Sequence, residues 1–165
     1  MARAICLRLL TLRARTRAEL SDALRRRGVP EDAATSVLTR LTEVGLIDDA
    51  AFAQAFVRSQ HTQRGLARRA VAIKLRQRRV GDELVDAAVE EIDADSECAA
   101  ARALVQRKMR SLAGLGAEAQ TRRLLGLLAR RGYSAALAGR VVRDVVHSSQ
   151  PLPTEFADNG ESADF

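Results

Sequence analysis

The 165 residues include 27 Lys plus Arg against 21 Asp plus Glu, and 47% are hydrophobic while only 3% are aromatic. A chain of this size holds one domain or a few small repeats, and its core must come from Leu, Val, Ile and Ala, a palette that favours helices. The apolar run over residues 5–12 is broken by Arg8 and followed by Arg13, Arg15 and Arg17, too short and too charged for a membrane span or a secretion signal.

In chain order, Ile5, Leu9 and Leu12 line a first helix. Thr16-Arg17-Ala18-Glu19 has the spacing of a capping box, in which a Thr hydroxyl and a Glu carboxylate satisfy free backbone donors at a helix start. The second helix carries Leu20 and Leu24 inward and stops at Gly28, which enters the left-handed region without a Cβ penalty. Pro30 suits the next start, and Ala34, Val37, Leu38 and Leu41 then fall at i, i+3, i+4, i+7, one apolar stripe of a third helix. Past Gly45, Asp48 and Asp49 offer a cap for a helix anchored by Phe52 and Phe56.

The pattern then repeats. Leu24-Arg25-Arg26-Arg27-Gly28-Val29 returns 51 residues later as Leu75-Arg76-Gln77-Arg78-Arg79-Val80, and 53 residues after that as Leu128-Ala129-Arg130-Arg131-Gly132-Tyr133. The same offsets carry Leu20 and Leu24 onto Val71 and Leu75, then onto Leu124 and Leu128. The third-helix stripe maps onto Val85, Ala88, Val89 and Ile92, then onto Ala138, Val141, Val142 and Val145. Ala101, Leu104 and Val105 mark the helix that opens the last copy, and 114–116 is a loop before its second helix, whose successor starts at Ser134.

These spacings predict an all-α protein of three tandem three-helix repeats, at residues 1–46, 47–93 and 94–146, with a disordered acidic tail at 147–165. Arg79 stands where the other two copies have glycine. A left-handed Arg costs about 1 kcal/mol, so a turn of different shape is expected there.

Chemistry for catalysis is sparse. There is no phosphate-cradling Gly-rich loop, no His-Glu-x-x-His pair and no Gly-x-Ser-x-Gly elbow. His61 sits among polar neighbours and His147 opens the tail, so both are expected to be exposed and solvated. Glu90 and Glu91 are adjacent on a helix and point about 100° apart, so they do not act as a pair. Cys6 and Cys98 lack Cys or His neighbours at ligand spacing, which leaves reduced, buried thiols in a cytoplasmic protein. No catalytic residue, cofactor or metal is expected.

Charge is the stronger signal. The formal +6 becomes +10 once Glu155, Asp158, Glu161 and Asp164 of the tail are set aside, and nucleic acid is the first candidate for an acidic partner. Arg25, Arg26 and Arg27 recur in later copies as Arg64, Arg68, Arg69, Lys74, Arg76, Arg78 and Arg79, then as Arg122, Arg123, Arg130 and Arg131, with Arg58 just ahead of the second set. They lie along each second helix and into its last turn, where the helix dipole accounts for one or two cations but not three in a row. With aromatics nearly absent, these side chains suit phosphate or an acidic protein surface rather than base stacking.

Gly45-Leu46-Ile47-Asp48-Asp49 followed by Ala51-Phe52-Ala53-Gln54-Ala55-Phe56-Val57-Arg58-Ser59 resembles the most recognisable stretch of the RecX family. The segments 16–29 and Pro30-Glu31-Asp32 resemble that family's opening repeat, and the likeness extends over about residues 5–146. It implies an elongated, curved, right-handed or solenoid-like array. It further implies a non-enzymatic, monomeric regulator of DNA repair that binds the RecA recombinase and its filament on single-stranded DNA. Such a regulator restrains ATP hydrolysis, strand exchange and co-protease activity in homologous recombination and the SOS response. The alternative is a direct DNA-binding protein in which residues 19–41 form a helix-turn-helix reader.

Overall fold

The computed structural model describes residues 1–148. Among these, nine α-helices occur and no strand: α1 (Ala2–Leu12), α2 (Arg17–Arg25), α3 (Glu31–Glu43), α4 (Asp49–Arg58), α5 (Arg68–Gln77), α6 (Asp82–Val89), α7 (Ala94–Met109), α8 (Ala117–Arg130) and α9 (Ala135–Ser148). A π-helical turn, Ser59–Gln63, follows α4, and a 3₁₀ turn, Arg110–Leu112, follows α7. The acidic tail read from the sequence lies, from residue 149 onward, outside the described residues, and α9 includes His147 and Ser148.

Three separate apolar cores follow the three copies. Leu20, Leu24, Leu38 and Leu41 centre the first, Val71, Leu75, Val85 and Val89 the second, and Leu124, Leu128, Val141 and Val142 the third. Every strongly packed pair of helices lies within one copy, so each three-helix unit buries its own stripe and meets its neighbour through a smaller joint.

Local signals set the boundaries. The Thr16 hydroxyl accepts from the Glu19 amide at 3.1 Å while the Glu19 carboxylate accepts from the Thr16 amide at 3.4 Å, completing the expected box. Asp48 caps α4 by accepting from the Ala51 amide at 2.8 Å, and Ser134 accepts from the Leu137 amide at 3.2 Å. Gly28 and Gly132 have φ of 70° and 86°.

Three expectations need correction. Arg79 does not avoid the left-handed conformation: its φ is 56°, and the turn keeps the shape of its glycine counterparts. Contacts described below hold it there. Leu12 is 73% exposed, and Cys6 takes the fully buried position on α1. Finally, His61 is buried, because the π-turn inserts a residue and rotates Gln60 and His61 inward. Its Nδ1 lies 2.8 Å from the Leu66 carbonyl, which only accepts, so Nδ1 carries the proton.

Candidate partner-binding surface

The unpaired backbone groups at helix ends build the joints between units. A helix N-terminus has free N–H groups and a C-terminus free carbonyls, and burying either without a partner is unfavourable. At the first joint the Thr16 hydroxyl, at the start of α2, donates to the Arg78 carbonyl at the end of α5, at 3.1 Å. At the second, the Ala67 amide, at the start of α5, donates to the Arg131 carbonyl at the end of α8, at 3.0 Å.

A second bond recurs alongside. The Arg17 amide donates to Asp49 at 2.8 Å and the Arg68 amide to Glu97 at 2.9 Å, the acid in each case coming from the first helix of the following unit. The second helices therefore meet end to end, α8 against α5 and α5 against α2.

Side chains then give the two joints different characters. At the first, Arg78 pairs with Glu19 at 2.9 Å and lies 5.7 and 5.2 Å from the ring centroids of Phe52 and Phe56. Arg79 pairs with Asp22 and donates to the Ala18 carbonyl, which offsets its backbone strain. The second joint is tighter, and no side-chain ion pair spans it among the described residues. A Cβ on Gly132 would meet the Ala70 Cβ at 2.7 Å, one on Gly65 would meet Leu104 at 2.9 Å, and the Tyr133 hydroxyl donates to the Gly65 carbonyl at 3.0 Å.

Burial raises the Tyr133 phenol to about 12, with Glu97 adding to the rise and Arg131 opposing it. The neutral form is thus favoured in the fold: its stabilising effect is complete below the ordinary value near 10 and is lost as pH rises through about 12. Tyr133 is the one tyrosine, so phenolate absorbance reports this joint alone. An alkaline titration is expected to show a midpoint well above 10 that returns to the ordinary range in urea. A native midpoint near 10 would contradict the buried hydroxyl.

The fifteen basic residues singled out from the sequence divide by what already holds them. Arg78 and Arg79 serve the first joint. Arg76 bridges Asp82 and Asp86 at 2.8 and 2.9 Å, which raises its already high pKa further. Arg25 pairs with Asp22, Arg27 donates to the Ala23 carbonyl, and Arg122 stands 4.0 Å from Glu118. By contrast Arg26, Arg58, Arg64, Arg68, Arg69, Lys74, Arg123 and Arg130 are exposed, and no ion pair engages their side chains among the described residues. Half-buried Arg131 meets the start of α5, so the second joint gathers it beside Arg68 and Arg69.

The acids that make the joints are less visible in the sequence than the cations. By spacing alone Glu19 signals a capping residue and Asp49 a cap for its own helix, while Asp22 and Glu97 belong to no motif. Glu19, Asp49 and Glu97 each stand in the first turn of a helix, where a carboxylate meets free N–H groups of its own helix or a neighbour's, whereas Asp22 lies further along α2 and meets only the Arg25 and Arg79 guanidinium groups.

Three family models match the chain in tandem: RecX, first three-helix domain, over residues 2–41; the second over 48–89; and the third over 95–142. The chain is 52% identical over 159 residues to regulatory protein RecX of Streptomyces lividans, covering 96% of this chain and 85% of that one. With regulatory protein RecX of Thermobifida fusca it shares 56% identity over 143 residues, covering 87% and 77%. The fold is similar to the crystal structure of RecX from Lactobacillus salivarius, with a TM-score of 0.78 at 17% identity over 87% of this chain and 94% of that one. Matched in all three domains, and sharing half its residues with relatives over most of their length, the chain belongs to the RecX family of regulatory proteins.

Proposed function

We propose that this protein regulates homologous recombination by binding the RecA recombinase and its filament on single-stranded DNA, as a cytoplasmic monomer without catalysis of its own. Bound there, it restrains ATP hydrolysis, strand exchange and co-protease activity, and so acts on DNA repair and the SOS response. The observation that carries this reading, beyond family membership, is the set of uncommitted cations distributed over all three units, from Arg26 through Arg68 and Arg69 to Arg123 and Arg130. A nucleoprotein filament offers phosphate and carboxylate along its length, and an array of units joined end to end meets such a target at several points.

A helix-turn-helix reading of residues 19–41 fits less well. The reading helix would be α3, whose first turn carries Glu31 and Asp32, and DNA phosphate repels both.

The direct test is DNA-dependent ATP hydrolysis by the cognate recombinase. Stoichiometric protein is expected to slow it. The triple variant Arg64→Glu, Arg68→Glu, Arg69→Glu should retain its helical content and require about tenfold more protein for the same effect, since reversed rim charges act on association more than on folding. Unchanged hydrolysis with the natural protein would remove the proposal. Titration of single-stranded DNA without recombinase, across salt concentrations, measures how much of the attraction is phosphate alone.

A further inference from the structure

Beside the second joint lies an open groove of about 590 Å³, between α5, α6 and the turn that leads into α9. Its lining includes Ile73, which is 46% exposed, together with buried Val89 and Tyr133. At its α5 end stand Arg68 and Arg69. Arg76 also lines it, but Asp82 and Asp86 occupy that guanidinium, and Glu97 accepts from the Arg68 backbone. The groove therefore offers an apolar patch with two uncommitted guanidinium groups at one end, a fit for a bulky apolar side chain flanked by carboxylates.

The chain itself carries such a segment. Glu155-Phe156-Ala157-Asp158 places a phenyl ring between two acids, within a stretch that has no Lys or Arg after residue 146. The reach is adequate. Ser134 lines the groove, and α9 leads away from it over 14 residues, about 21 Å at 1.5 Å per residue. Phe156 is eight residues beyond the end of α9 at Ser148, a span of up to about 28 Å when extended. A tethered segment also acts at an effective concentration of order millimolar, so a weak contact suffices.

We propose that the segment around Phe156 docks intramolecularly in this groove, its ring against Ile73 and its carboxylates on Arg68 and Arg69. Docked there, it covers two of the cations that the proposed function assigns to the partner, and an acidic partner must displace it. That consequence rests on the functional proposal; the docking itself does not.

The experiment uses the full chain with Phe156→p-benzoylphenylalanine, photo-cross-linked at low protein concentration and mapped by mass spectrometry. Cross-links are expected in α5 and α6 of the same molecule. Their yield should fall about fivefold or more in the Arg68→Glu, Arg69→Glu background and at molar salt, where the screening length is about 3 Å. Far-UV circular dichroism of that background checks that the helices are intact. Three results would each overturn the proposal: cross-links centred on the α8–α9 groove around Leu125 and Val142, cross-links only between molecules, or a yield insensitive to both charge reversal and salt. Because the readout contains no recombinase, failure of docking and failure of RecA regulation are seen separately.

Discussion

Leu38→Asp is expected to unfold the first unit and leave the other two folded. Leu38 is 3% exposed, on the inner face of α3 among Leu20, Leu24 and Leu41. Truncating it forfeits about 1.5–3 kcal/mol of apolar burial, and an unpaired carboxylate in that site adds several more. A unit of about 45 residues holding α1–α3 has about 2–7 kcal/mol of stability at the usual 0.05–0.15 kcal/mol per residue, so the substitution exceeds what it can absorb. The helices α1–α3 contribute roughly a third of the α-helical residues, so far-UV circular dichroism should lose about that fraction. Hydrogen exchange should show α4 to α9 still protected. Loss of protection throughout the chain would mean that the three cores do not fold as separate cooperative units.

The second large effect concerns two glycines with one backbone conformation and different surroundings. Gly28 has φ of 70° and an added Cβ would meet nothing within 4 Å, so Gly28→Ala should lose only the left-handed penalty, about 1 kcal/mol. Gly132 has φ of 86°, and its Cβ would stand 2.7 Å from the Ala70 Cβ and 3.4 Å from the Ala70 amide nitrogen. The amide lies at ordinary contact distance, but the Ala70 Cβ is fixed rigidly to the α5 backbone and cannot swing aside. Gly132→Ala should therefore add an overpacking cost of about 1–3 kcal/mol to the same conformational penalty. Urea unfolding followed by hydrogen exchange at α5 and α8 separates the cases, the second variant loosening amides on both sides of the joint. Equal destabilisation by the two substitutions would show that the joint yields freely.

Much of the fold was legible because a helix advertises its inner face through periodicity. The stripes at Leu38, Val89 and Val142 repeat at two fixed offsets, and duplicated sequence folds into duplicated structure for the same reason each time. The first helices were harder. The spacing of Ile5, Leu9 and Leu12 suggested an inward stripe, but the last turn of α1 projects past the core, and small Cys6 fills the closest approach.

Readings that depended on a single residue fared unevenly. A run of polar residues around His61 gives no warning of an inserted residue, since a π-turn differs from an α-turn only in which carbonyl each amide selects. Arg79 kept its left-handed turn because Asp22 and Ala18, in another unit, hold its side chain. Those partners are remote in sequence, and local propensity carries no trace of them. For the candidate surface, the sequence located the cations but not their occupancy. Arg27 and Arg78 stand at the same place in the alignment of copies; only the placement of Glu19 and the Phe52 and Phe56 rings makes Arg78 an internal strut, while Arg27 is exposed and donates to the Ala23 carbonyl of its own unit.

Each joint uses atoms from two adjoining units and nothing else. A gene segment encoding one unit, copied in frame, would bring the backbone half of such a joint, and only the flanking side chains, such as Arg79 where the second joint has Gly132, would have to adapt to the new neighbour. Span along a target is then a matter of copy number, a ruler that duplication can extend and deletion can shorten.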